Sequence, residues 1–70
     1  MSIEKNLAKN LLRARELKGL TQKEVSKKTG ITEASISRYE TGERIPNAII
    51  LCRLAKCYGV STDRLLEVGR

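Results

Sequence analysis

Apolar residues recur along this chain at spacings of three and four, and nowhere do they alternate with polar ones for long. Leu7, Leu11, Ala14 and Leu17 follow one another by four, three and three positions, the rhythm of one helix face. Lys5, Lys9, Arg13 and Lys18 fill the other side. A first helix is therefore expected from about Ile3 to Lys18, capped by Ser2 and stopped by Gly19. Thr21 is followed three residues later by Glu24, the signature of a capping box, so a second helix is expected from Gln22 to about Thr29. Gly30 then supplies a left-handed residue, Ile31 plugs the turn, and Thr32 caps a third helix over about 33–40 with Ile36 and Tyr39 inward. Gly42 to Pro46 reads as a loop. Asn47 caps a fourth helix, about Ala48 to Tyr58, with Leu51, Leu54, Ala55 and Tyr58 as its inner stripe. Gly59 ends it, Val60 plugs the connection, and Ser61 caps a short fifth helix from about Thr62 to Val68.

Five short helices with short connections imply a compact all-α bundle, a single domain over residues 1–70. Within it, the run from Thr21 to Glu40 is the informative part. Two short helices joined by a glycine-bearing turn make a helix-turn-helix. The second helix of such a pair can enter a DNA major groove and read base edges.

The series of motifs resembles the Cro/C1-type family of helix-turn-helix regulators, which includes the phage repressors and is often named after the xenobiotic response element. Arg15-Glu16-Leu17-Lys18-Gly19-Leu20-Thr21-Gln22 is similar to the family's R-x-x-K-G-L-T-Q stretch. Ile36-Ser37-Arg38-Tyr39-Glu40-Thr41-Gly42 is similar to its I-S-x-x-E-x-G stretch. Pro46 falls where the family has a proline, and Leu54-Ala55-Lys56, Gly59-Val60-Ser61 and Asp63-Arg64-Leu65-Leu66 resemble its two closing helices. The resemblance implies a five-helix bundle of the phage-repressor type. It also implies a sequence-specific transcriptional regulator, a repressor, binding duplex DNA as a homodimer at a near-palindromic operator.

Charge agrees with that direction. Fourteen Lys and Arg against eight Asp and Glu leave a net charge of +6, which favours a polyanionic partner. No apolar stretch approaches the roughly 18 residues of a membrane span. The amino-terminal residues lack the apolar core of a secretory signal, so a cytoplasmic protein is expected. There is no histidine, the commonest general acid–base residue, and no nucleophile–base pair, so no enzyme is expected. Cys52 and Cys57, five apart, project about 140° from each other on a helix. They read as small apolar fillers, with no metal and no cofactor.

The resemblance assigns roles residue by residue. Bases are read by the first exposed positions of the third helix, Glu33 and Ala34, and one turn later by Arg38, with Ser37 on the flank. Arg38 can bond guanine O6 and N7 together, and Ala34 can offer only a methyl to thymine. Glu33 either accepts from cytosine N4 or simply favours the helix N-terminus. Gln22, at the amino end of the second helix where backbone amides are unpaired, is expected to bond a phosphate and to brace the third helix; Lys23, Thr32, Thr41, Arg44 and Asn47 are also expected on phosphates. Arg15 and Glu40 correspond to an internal ion pair. Ile49, Ile50, Leu66 and Val68 stand where polar residues are usual or dimers form, so they are expected in self-association. A second reading stays open: a protein-interaction module of the same fold, antitoxin- or antagonist-like, with weak DNA binding.

Overall fold

Each helix starts on a side chain that accepts a hydrogen bond from the backbone N–H three residues on. The computed structural model describes residues 2–67. Ser2 caps α1 (Ile3–Lys18), Thr21 caps α2 (Gln22–Thr29) and Thr32 caps α3 (Glu33–Thr41). Asn47 caps α4 (Ala48–Tyr58) and Ser61 caps α5 (Thr62–Leu65). At α2 the box is reciprocal: the Thr21 N–H donates to Glu24 Oε1 at 2.9 Å while Thr21 Oγ1 accepts from the Glu24 N–H at 3.1 Å. These bonds satisfy amides that the helix itself leaves unpaired. The described residues are all helical or irregular, with no strand among them. None of the helices is long and apolar enough to cross a membrane.

The turn between α2 and α3 is three residues, Gly30 to Thr32. Gly30 has φ +77°, and its N–H closes the helix on the Ser26 carbonyl at 2.9 Å. A left-handed residue there reverses the chain at little steric cost only because it is glycine. Ile31, 6% exposed, then drops into the core and fixes the angle between the two helices.

That core is built from Leu7 and Leu11 of α1, Val25 of α2, Ile36 and Tyr39 of α3, Leu51, Leu54 and Tyr58 of α4, and Leu65 of α5. α1 packs across α3, α4 and α5, while α2 packs on α3 and α4. α3 thus lies with one face on α1 and α2 and the other free.

Two expectations need correction. Leu17, assigned to the inner stripe of α1, is 79% exposed. Three-residue steps drift round a helix: six residues beyond Leu11, it has turned about 120° away from it. Asn6 and Ala8 are buried beside Leu7 instead, with the Asn6 amide donating to the Ser2 carbonyl at 2.9 Å. The fifth helix was expected to reach Val68, but α5 ends at Leu65 and Val68 lies outside the described residues. The cause is Asn10 of α1, whose amide donates to the carbonyls of Leu65 and Glu67, both at 2.9 Å. It draws the chain onto α1, and the Glu67 N–H turns back to Arg64 rather than continuing an α-helical ladder.

Leu11→Ala is expected to destabilise the domain by about 2–5 kcal/mol in urea unfolding, as a fully buried leucine should. Leu17→Gln should stay within about 0.5 kcal/mol of the parent. A comparable loss at both positions would overturn the placement of Leu17.

The Thr21 hydrogen bonds hold the Glu24 carboxyl below its ordinary value. Its contribution is therefore present above the unfolded-state pKa and is lost as pH falls through the folded one. The melting-temperature difference between the parent and Glu24→Ala should be clear at pH 7 and shrink below about pH 4. A difference that persists unchanged in acid would show that the charge plays no part in the cap.

Candidate nucleic-acid interface

α3 is amphipathic in an unusual sense: its inner face is partly ionic. Ile36 and Tyr39 are buried, and beside them on the same side Glu40 turns inward with its side chain only 5% exposed. Isolated burial of a carboxylate is costly, so its partners matter. Arg15 of α1 meets it as a fork: Nε donates to Oε2 at 2.6 Å and Nη2 to Oε1 at 3.1 Å. Arg15 Nη1 also donates to the Leu20 carbonyl at 2.9 Å. A third helix joins through Gln22, whose Nε2 donates to Glu40 Oε1 at 2.9 Å. Hydrogen bonding to Glu40 raises the Arg15 pKa further above its already high ordinary value. Nearby, burial pushes the Tyr58 phenol well above its usual range, and the Glu40 charge adds to it. The network ties α1, α2 and α3 at one point.

Fixing that inner face presents the outer one. At about 100° per residue, Glu33, Ser37, Thr41, Ala34 and Arg38 fall within an arc of about 140° opposite Ile36 and Tyr39. Glu33, Ala34 and Arg38 are exposed and Ser37 is half-buried. The four residues expected to read bases therefore share one free surface of α3. Tyr39 and Glu40, which follow them in sequence, do not.

The residues expected on phosphate fall into two groups. Lys23, Arg44 and Asn47 are exposed. Asn47 uses its Oδ1 to cap α4 at 2.9 Å from the Ile50 N–H, which leaves its amide nitrogen for another acceptor. The Arg44 guanidinium lies over the Tyr39 ring, 6.0 Å from its centroid, and the Arg44 N–H donates to the Arg38 carbonyl at 3.2 Å. The loop after α3 is thereby pinned to the reading helix. The other group has local duties. Thr32 Oγ1 accepts from the Ser35 N–H at 3.2 Å and pairs with Ser35 Oγ at 2.9 Å. Thr41 Oγ1 lies 3.1 Å from the Arg38 carbonyl and 3.3 Å from Glu43 Oε1, both acceptors for its single hydrogen. A hydroxyl has one hydrogen to donate, so Thr32 must give up its bond to Ser35 Oγ, and Thr41 its bond to Arg38 or Glu43, to donate to a phosphate. Gln22 is half-buried, and one of its two amide hydrogens is already committed to Glu40.

The geometry now has counterparts. The helix-turn-helix family model matches residues 11–65, from α1 through α5. This chain belongs to the Cro/C1-type helix-turn-helix family. It is 43% identical over 61 residues to the HTH-type transcriptional regulator ImmR of Bacillus subtilis, covering 87% of this chain and 48% of that protein. It is 41% identical over 66 residues to an uncharacterized HTH-type transcriptional regulator, y4dJ, of Sinorhizobium fredii, covering 94% of this chain and 86% of that one. Multiprotein-bridging factor 1 of Candida albicans is 36% identical over 58 residues, covering 83% of this chain and 38% of its own length. The chain thus spans about half of ImmR and most of y4dJ. No solved structure matches it significantly.

Resemblance implied that Gln22 braces α3 but not that Glu40 is its partner, which depends on where the helices meet. The Arg44–Tyr39 contact was missed, because it depends on how the loop after α3 folds back. Asn10, which sets the end of α5, had a faint signal: an amide in a helix whose other polar positions are mostly charged.

Arg15→Ala and Glu40→Ala should each lower stability toward the low end of the roughly 3–5 kcal/mol lost when a buried pair is broken. Lys9→Ala, a solvated charge, should cost little. Arg15→Lys should fall between, because an ammonium keeps the charge but not the fork. Equal melting temperatures for all four variants would remove the network as a structural tie.

Proposed function

We propose that this chain is a sequence-specific DNA-binding transcriptional regulator that represses by occupying a near-palindromic operator as a dimer. The observation that carries this reading is the free polar face of α3, held outward by the Arg15–Glu40–Gln22 network on its rear. Net charge of +6 supplies the attraction to a polyanion. Arg38 reads guanine through O6 and N7, Ala34 meets a thymine methyl, Glu33 accepts from cytosine N4, and Ser37 bonds at the flank. Phosphates are held by the second amide hydrogen of Gln22 and the amino end of α2, by Lys23 and Arg44, and by the Asn47 amide. Thr32 and Thr41 join only by exchanging the bond each hydroxyl now donates for one to a phosphate. With one strong donor to bases, discrimination also draws on DNA shape. A dimer seated over a promoter excludes the polymerase, and such a regulator works in the cytoplasm beside the chromosome.

One copy contacts too few base pairs to find a site in a genome, so two copies share the operator. Their contact belongs to the α5 end. Leu66 is 38% exposed and Leu17 79% exposed there. Leu17 borders a hollow with Ala14, Val60 and Leu65, where Arg64 and Glu67 offer opposite charges that two-fold related copies can exchange. Ile49 suits this role less well, because Arg53 and Lys56 flank it and would face their own images across a two-fold axis. Ile50 is partly buried against the core and has little area to offer.

Selection from a random DNA pool should return an approximate palindrome with half-sites about one helical turn apart, roughly 34–36 Å. Arg38→Ala should weaken specific binding by about 1–3 kcal/mol and relax one base pair per half-site, while Gln22→Ala should weaken binding evenly across sequences. Leu66→Glu should reduce dimer formation on DNA without unfolding the domain. Asymmetric selected sites with one protein per duplex in sedimentation would defeat the dimer, and an unchanged motif with Arg38→Ala would defeat the base assignment.

A further inference from the structure

The outer face of α4 has no role in the reading above, and its composition is peculiar. At about 100° per residue, Ile49, Cys52, Arg53 and Lys56 lie opposite the buried stripe of Leu51, Leu54, Ala55 and Tyr58. Ile49 is 68% exposed, and Ala48 and Cys52 are exposed beside it. These residues, with Arg53 and Lys56, line a shallow hollow of about 350 Å³. Arg53 and Lys56 also line an adjoining hollow of about 470 Å³, closed on its other side by Lys28 at the end of α2. No carboxylate borders either hollow. Among the described residues Arg15–Glu40 is the one salt bridge, so Lys28, Arg53 and Lys56 are in no close ion pair, although the Glu24 charge acts on Lys28 from one turn earlier in α2.

Helix electrostatics explain part of this. Lys28 and Lys56 sit in the last turns of α2 and α4, where cations favour the helix dipole. That accounts neither for Arg53 nor for the apolar strip that runs into the cations. We propose that this face docks an acidic amphipathic helix of a partner protein. Its apolar stripe seats on Ala48, Ile49 and Cys52, and its carboxylates meet Arg53, Lys56 and Lys28. From Ile49 to Lys56 the face is about 10 Å long, two turns, which suits anchors at i, i+3 and i+7 of a partner helix.

Charge selects this occupant over two others. A second copy of this chain carries +6 itself and would bring α4 cations against cations. Duplex DNA would satisfy Lys28, Arg53 and Lys56 but would set Ala48, Ile49 and Cys52 against phosphates with nothing to gain. Neither hollow includes a residue of α3, so a docked helix leaves the reading face open.

The test titrates the ¹⁵N-labelled chain with a synthetic helical peptide of about four turns, leucines at i, i+3 and i+7 and glutamates elsewhere. A second peptide replaces every glutamate with lysine. Amide shifts should be confined to residues 48–56 and 27–29. Ile49→Ser, and separately R53E/K56E, should weaken the glutamate peptide about tenfold or more. All three positions are exposed, so these variants should keep the parent spectrum elsewhere. The lysine peptide should bind R53E/K56E and not the parent, a swap of preference that loss of structure cannot produce. The proposal is overturned if the glutamate peptide does not bind, if shifts centre on residues 33–38 or 64–67, or if neither variant changes affinity. It is equally overturned if residues 48–56 shift with protein concentration in the absence of peptide, which would give the face to a second copy.

Discussion

The structure depends on one nearly buried carboxylate. Glu40 sits on the inner side of the reading helix, where an apolar residue would have packed more simply. Burying it leaves charge to be answered from outside α3, and the answers come from α1 and α2. Arg15 provides a planar fork matched to the carboxylate plane, and a point cation could not reproduce that geometry. Ridges and grooves alone permit helices to pack over a range of angles. A bidentate pair with a third donor permits a much narrower one. Net stability is a poor explanation for such a pair, because an apolar replacement is often as stable. Fixing the rotation of α3 about its own axis is the better one. Turning the helix by one residue would expose Tyr39 in one direction and hide Arg38 in the other.

The same point couples recognition to integrity. Gln22 opens α2, where the capping box has aligned the first backbone amides, and its side chain reaches both the network and the solvent edge. A phosphate bound there would touch a group that already holds Glu40. One side chain would then serve both position on a DNA backbone and the orientation of α3. Arg44 adds a second brace near the same, carboxy-terminal end of α3, lying over Tyr39 while its own N–H closes on Arg38. That end of α3 is thus held by two residues that also suit phosphate.

What could be read from the sequence follows the range of the interactions. The starts of all five helices were legible because a cap is a local event, decided by side chains within four residues. The turn was legible because a left-handed glycine followed by one apolar residue has few alternatives. Core membership of α4 was legible because its apolar stripe holds to one face over three turns. Leu17 was misjudged because a sum of helical spacings conceals rotation. The end of α5 was misjudged because it is set by Asn10, more than fifty residues away in the chain. Of the site, the share of α3 facing outward was legible from periodicity, and Arg15 with Glu40 from resemblance. So was a bracing role for Gln22, but not its partner Glu40, since both residue types are ordinary on a solvated helix.

The distribution of charge and apolar surface separates tasks that a 70-residue chain has little area to keep apart. A small domain exposes a large share of its apolar atoms whatever its function, so a single exposed leucine or isoleucine says little. Context is what distinguishes them. Leu17 lies among Arg13, Arg64 and Glu67, charges of both signs, a setting in which a copy of the same surface can be accommodated. Ile49 lies among cations alone, a setting that excludes a copy and favours an acidic stranger. The reading face of α3 carries neither kind of apolar residue, only Ala34. Three surfaces of differing chemistry thus issue from one core. Because each is anchored to a different helix, a substitution on one can change its partner while the bundle, and the other two surfaces, remain as they were.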